Sequence, residues 1–207
     1  MTKRQIIELC HIQIAGGDVT ADVLTKYPTQ TVEKIAEIIF NDLVVNTYKE
    51  NPNYFRNDLS TFVKRYTDID ILEDSSTGEN YIPLPSKLIQ LPHDSAIKCV
   101  YSHENSDYPL VYRDNKMDGS YKYLMVGTIV AKKSFYILGN RLYLRNMVVG
   151  DLTMYIDIVV PFSAYLSTDE IVLPYDKETF FVDSIVARLL GTLTSDQIED
   201  AKLIRTK

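Results

Sequence analysis

Ser134-Phe135-Tyr136-Ile137-Leu138, Gly139-Asn140, Arg141-Leu142-Tyr143-Leu144 is the stretch whose reading decides the fold. Two short runs rich in aromatic and aliphatic residues flank a Gly-Asn pair, and that spacing predicts a β-hairpin with a two-residue loop. Working outward, period-two patterning holds for about a hundred residues. Upstream, Thr61 to Leu72 alternates Phe62, Lys64, Tyr66 and Asp68 with Val63, Arg65, Thr67 and Ile69. The turn segment Asp74-Ser75-Ser76-Thr77-Gly78-Glu79-Asn80 leads into Tyr81-Ile82-Pro83-Leu84-Pro85, and Ile97 to His103 and Pro109 to Arg113 read as further strands. Downstream, Asp151 to Val160 is another, closed by Pro161.

Helical patterns bracket this region. Thr2 with Gln5 fits a capping box. Ile6, Ile7, Cys10 and Ile14 follow at helical spacing, and Gly16-Gly17 supplies a stop. Asp18 to Lys26 reads as a short helix or a turn, and Pro28 suits the start of a longer helix. In that helix Val32, Ile35, Ala36, Ile39 and Leu43 form an apolar stripe, which Ile38, Phe40, Val44 and Val45 widen until little polar surface is left. Such a helix is buried on several sides, within its own domain or against a neighbouring subunit. At the other end, Phe181, Ile185 and Leu189 run beside Val182, Val186 and Leu190 until Gly191, and Thr194 with Gln197 is a second candidate capping box. The predicted fold class is α+β: N- and C-terminal helices forming a small bundle, with a β-rich, sandwich- or barrel-like insertion. Residues 1–58 and 168–207 are assigned to the helical core and 59–167 to the insertion.

Composition narrows the function. With 207 residues, 45% hydrophobic and 24% charged, the chain reads as globular rather than disordered. Its apolar runs are too short to cross a bilayer, so no membrane is expected as a partner. Two cysteines cannot build a disulfide framework, and the N-terminus reads as a capped helix rather than a secretory leader. These traits point to a protein of a reducing compartment or a virion. The formal net charge of −6 is unevenly placed. Residues 101–150 hold 7 basic against 4 acidic side chains, whereas residues 151–207 hold 5 against 10. Neither block has the strongly basic composition of a nucleic-acid-binding domain.

A search for chemistry finds no dinucleotide fingerprint, no phosphate loop and no nucleophile elbow. His93, Cys99 and His103 form the only metal-like grouping, and they lack the paired short spacings of a zinc site. No metal or cofactor is assigned, and no catalytic residue. Asp68 and Asp70 fall on one strand face, and they or the Cys99 region invite a hydrolase reading. Their ordinary role is to solvate a strand edge and deter aggregation. Lys132, Lys133, Arg141 and Arg145 surround the Gly-Asn hairpin, with Tyr136 and Tyr143 interleaved. They suit a stacking platform for single-stranded nucleic acid or a basic subunit contact. The second is favoured, because the acidic C-terminal part carries the complementary charge. A helix-turn-helix over Thr20 to Ile39 is disfavoured, since its reading helix offers Lys34 alone among bases.

The order of segments resembles one family. Tyr81-Ile82-Pro83-Leu84-Pro85 with Leu91-Pro92, the hairpin Phe135 to Leu144, Leu152 to Pro161, and Ile171-Val172-Leu173-Pro174 running into a helix through Leu190 carry the likeness. Together they are similar to the head-to-tail adaptor proteins of tailed bacteriophages. These are the ring or connector proteins that dock under the portal in short-tailed phages, including the crAss-like group. The resemblance implies a non-enzymatic virion structural protein, assembled in the bacterial cytoplasm. It implies a homo-oligomeric ring, commonly of twelve copies, that binds the portal and other tail proteins. Double-stranded DNA would pass through its channel without specific binding. On that reading Ile38, Phe40 and Val45, with Lys132, Lys133, Arg141 and Arg145, are candidate subunit contacts. Ile198 and Leu203 in the polar tail are candidates for docking to the portal or an adjacent ring. The alternative is a phage DNA-binding packaging or accessory protein that uses the same four basic residues.

Overall fold

A computed structural model of the chain describes residues 1–57, 60–92, 95–102, 110–112, 133–147, 153–174 and 177–191. It is mixed helix and strand, with helices at both ends and sheets in the middle. Two units separate by internal contact, one from Met1–Val63 with the segment from Val160 onward, the other Lys64–Val159.

In the helical unit, α1 (Lys3–Ala15) starts at Thr2, whose side chain accepts from the Gln5 N–H at 3.2 Å while the Gln5 side chain accepts from the Thr2 N–H at 2.8 Å. Gly16 closes the helix in the left-handed conformation, at φ 69°, as a residue without Cβ does readily. Helix α2 (Ala21–Lys26) is short and buries no residue. Pro28 lies one residue outside α3 (Thr29–Glu50), which is followed by α4 (Pro52–Asn57). From the C-terminal segment come a 3₁₀ turn (Phe162–Ala164) and α5 (Glu178–Leu189), with Gly191 again left-handed at φ 69°. Helices α1, α3 and α5 pack on one another. Their shared core is aromatic: the Phe40 ring lies 5.8 Å from Phe62, 5.9 Å from Phe162, 6.1 Å from Tyr165 and 6.0 Å from Phe181.

That core sets where the units divide. The break falls at 63/64 and 159/160 rather than at 58/59 and 167/168. Phe62 donates its backbone N–H to Val172 at 2.8 Å, and Tyr165 donates its hydroxyl to the Phe62 carbonyl at 3.0 Å. Both ends of the expected insertion are thereby held in the helical core.

The β unit holds two sheets. One is ordered β1 (Val63–Asp70), β8 (Thr153–Val159), β4 (Ile97–Ser102). The other is ordered β2 (Leu72–Glu73), β3 (Asn80–Pro83), β7 (Arg141–Arg145), β6 (Ser134–Leu138), β5 (Val111–Tyr112). Among the described residues neither sheet closes into a barrel. The hairpin β6–β7 forms as the Gly-Asn pair predicts, with Leu138 opposite Arg141 and Gly139 at φ 62°. Two details depart from the sequence pattern. Asp68 has φ 56°, so the alternation that would align Asp68 with Asp70 is interrupted inside β1. Strand β5 pairs with β6 in parallel, although its neighbours in this sheet pair antiparallel.

Candidate functional site

The candidate subunit contacts on α3 divide by helical phase. Phe40 is fully buried at the centre of the helical core. Its assignment to a subunit contact is therefore corrected: the ring is saturated by four aromatic neighbours of its own chain. Ile38 lies on the opposite side of the helix and is 45% exposed, and Val45 on the same side is half-buried. Between them Asn41 keeps a buried Oδ1 without a hydrogen-bond partner. On α1, Leu9 and Ile12 are also exposed, one turn apart on the face away from Ile6 and Cys10.

The basic residues of the hairpin sit in a different setting from the one their spacing suggests. The register places Tyr81 opposite Tyr143, and Tyr143 opposite Tyr136, so three tyrosines form a row across β3, β7 and β6. Residues two apart on a strand share a face, so Arg141 and Arg145 flank that row on β7 and Ser134 joins it on β6. The Tyr136 and Tyr143 rings stack at 5.1 Å with 11° between planes. The Arg141 guanidinium lies 4.4 Å over the Tyr81 ring, and the Arg145 guanidinium 4.4 Å over Tyr136. Lys133 is half-buried, and Lys132 lies outside the described residues, as do Ile198 and Leu203.

Two carboxylates from the turn between β2 and β3 serve this face. Asp74 Oδ2 accepts from Arg141 Nη1 at 2.9 Å and from the Tyr143 hydroxyl at 2.8 Å. Asp74 Oδ1 accepts from the Ser76 N–H at 3.0 Å and the Ser76 hydroxyl at 2.6 Å. These bonds, those from Ser76 first, hold the Asp74 carboxyl at about 2. Glu79 Oε2 accepts from the Tyr136 hydroxyl at 2.6 Å, and burial followed by this bond raises the Tyr136 phenol above its ordinary range. Sequence reading found the arginines and Tyr136 and Tyr143 but missed Asp74, Glu79 and Tyr81 as their partners. No local signal could have found them, since they meet through the β3–β7 ladder, which pairs β3 with a strand some sixty residues later.

The other sheet carries a second polar cluster. Asp157, nearly fully buried on β8, accepts a bidentate pair from Arg65 on β1 at 2.7 and 2.8 Å. Tyr101 reaches the same carboxylate at 3.5 Å. Cys99 is half-buried, and burial, then the Asp157 charge, raises its thiol, which suppresses the thiolate a nucleophile needs. Asp68 and Asp70 are both exposed on β1. His93 and His103 lie outside the described residues, and among the described residues no three metal-ligating side chains come together. Likewise no described helix is long and apolar enough to cross a membrane. Neither a protein-family model nor a curated protein matches the chain.

Proposed function

We propose that the chain is a structural subunit of a bacteriophage head-to-tail connector, forming a homo-oligomeric ring below the portal that continues the DNA channel into the tail. The observation that carries this reading is the helical unit itself. It is built from both ends of the chain around Phe40, with the β unit inserted between them, the segment order on which the likeness to adaptor proteins rests. Its surface supports the reading too. Ile38 with Val45 on α3, and Leu9 with Ile12 on α1, are separate apolar patches on one unit. A head-to-tail ring contact joins unlike surfaces of neighbouring copies in this way. The unpartnered Asn41 Oδ1 fits a helix face completed by a neighbour, since a buried acceptor left unsatisfied costs stability. A net charge of −6 is compatible with a channel wall that does not retain passing DNA.

The test is to image the purified chain, alone and with a bacteriophage portal protein from the same genome, should it encode one, by electron microscopy. A closed ring that attaches to the portal is expected, and Ile38→Glu should leave the fold intact while abolishing the ring. A chain that stays monomeric with the portal and is absent from virions overturns the reading.

A further inference from the structure

We propose that neighbouring copies of the chain join through a lysine-bracketed face of α3, which receives the acid-rimmed patch on α1 of the next copy. The α3 face is one line of side chains at i, i+4, i+7, i+11 and i+15: Lys34, Ile38, Asn41, Val45 and Lys49. Lys34, Ile38 and Lys49 are exposed, and Asn41 and Val45 are half-buried. Both ends of the line are thus basic and its middle is apolar, with Asp42 beside Asn41 as the exposed acid nearest that middle. Ile38 and Val45 stand two turns, about 10 Å, apart along the helix axis.

The α1 patch has a matching spacing and the opposite charge. Leu9 and Ile12 are exposed and lie one turn, about 4.5 Å, apart. The pair fits between Ile38 and Val45 as the ridge of one helix enters the groove of another. Glu8 beside Leu9, and Asp18 and Asp22 past the end of α1, are all exposed. Glu8 shares its charge with Arg4 of its own chain at 2.7 Å, so Asp18 and Asp22 carry the greater part of the complement. Because both ends of the α3 line are basic, those two acids meet a lysine in either direction of docking. Helix α2 is a second observation. Its six residues bury no side chain, and it lacks a side-chain cap. Short helices are stabilised chiefly by packing, so a helix with this little support in its own chain fits one that a neighbour completes. Leu24 on α2 and Val19 before it add exposed apolar surface to the same N-terminal segment. This inference rests on the ring reading and deepens it, by naming the two unlike faces that mate and the charges that set their register.

The experiment mixes two full-length variants, each with one face spoiled. Ile38→Glu keeps the α1 patch, and L9E/I12E keeps the α3 face. In sedimentation velocity each should be monomeric alone, and the mixture should give a one-to-one heterodimer and nothing larger. Charge swaps in the otherwise unsubstituted chain guard against a variant that fails to fold. K34E/K49E should weaken self-association roughly tenfold, and adding D18K/D22K should restore most of it. Self-association of the unsubstituted chain should weaken with added sodium chloride, and K34E/K49E should flatten that dependence. A mixture that stays monomeric at the highest soluble concentration overturns the proposal and assigns the two faces to a different protein. Self-association of either single-face variant overturns it too, since like surfaces would then be pairing, and so does association indifferent to the lysines. The portal separates this failure from failure of the connector reading. A portal-bound ring that survives both Ile38→Glu and L9E/I12E removes this contact and keeps the connector. A one-to-one heterodimer from a chain that attaches to no portal does the reverse.

Discussion

At the scale of single residues, the clearest charge commitment is Asp157. Its side chain is 4% exposed while that of Arg65 is 61% exposed, so the carboxylate depends on the guanidinium far more than the reverse. Replacing Arg65 with Met leaves Asp157 only the longer Tyr101 contact among the bonds described above. The expected loss is about 2 kcal/mol, the range for a hydrogen bond to a charged group, discounted for the exposed partner. Urea unfolding of the variant checks this, and a loss indistinguishable from zero would show that water already serves Asp157. Asp74 gives a pH prediction. Its carboxyl is lowered from 3.8 to about 2, chiefly by the two bonds from Ser76 and then by Tyr143 and Arg141. A group whose folded pKa is depressed stabilises the fold above its unfolded value, and that contribution is lost as pH falls. The stability difference between the unsubstituted chain and Asp74→Asn should therefore be constant above pH 3.8 and shrink as pH falls towards 2. Chemical unfolding at a series of acid pH values reads it, and a difference independent of pH would remove Asp74 as the titrating group. Neither partnership was legible in the sequence. Arg65 and Asp157 are 92 positions apart, and Asp74 and Arg141 are 67 apart. Residue type marks a charge as needing a partner, but only the register of strands says which one it meets.

At the scale of elements, legibility follows range. The capping box, the left-handed glycines at Gly16 and Gly191, and the Gly-Asn hairpin are contacts between neighbours in the chain, and each forms where its spacing predicts. Strand β1 is harder, because Asp68 adopts φ 56° and shifts the phase of everything after it, which no alternation pattern encodes. The parallel β5 is likewise invisible locally, since direction in a sheet is set by the connection and not by the strand. Helix α3 shows the middle case: its apolar width is plain in the sequence. That Phe40 faces inward and Ile38 outward depends on where α1, α5 and the 3₁₀ turn pack. An element-scale prediction follows from the cap of α1. Thr2→Ala removes the side-chain acceptor for the Gln5 N–H and should cost about 1 kcal/mol of stability. Thr2→Ser, which retains the hydroxyl, should recover most of it in thermal unfolding. Equal losses for Ala and Ser would mean that the Thr2 methyl, not the cap, matters at this position.

At the scale of the whole molecule, the helical unit is one fold written in two distant pieces. Phe40 and Phe62 come from the first piece, and Phe162, Tyr165 and Phe181 from the second. Backbone bonds stitch the same pieces. Lys3 donates to the Asp169 carbonyl at 3.1 Å, Arg4 to Ser167 at 3.0 Å, and Ile171 to Met1 at 2.8 Å. Lys3 also sends its ammonium to the Tyr165 carbonyl at 3.1 Å and lies over the Phe162 ring. A fragment of residues 1–63 thus holds the longest of the described helices but lacks three of the four rings around Phe40. Short amphipathic helices gain most of their stability from packing rather than propensity, so this fragment should show only partial, non-cooperative helicity by circular dichroism. Adding residues 160–191 as a separate peptide should restore a cooperative thermal transition. Phe40→Ala in the first fragment should prevent that recovery, because truncating a buried Phe costs roughly 3–5 kcal/mol. Cooperative melting of residues 1–63 alone would contradict this account, since it would place the core of the unit within a single piece of chain. Recovery that survives Phe40→Ala would put the union in the backbone bonds that Met1, Lys3 and Arg4 make to Ser167, Asp169 and Ile171 instead of in the aromatic cluster.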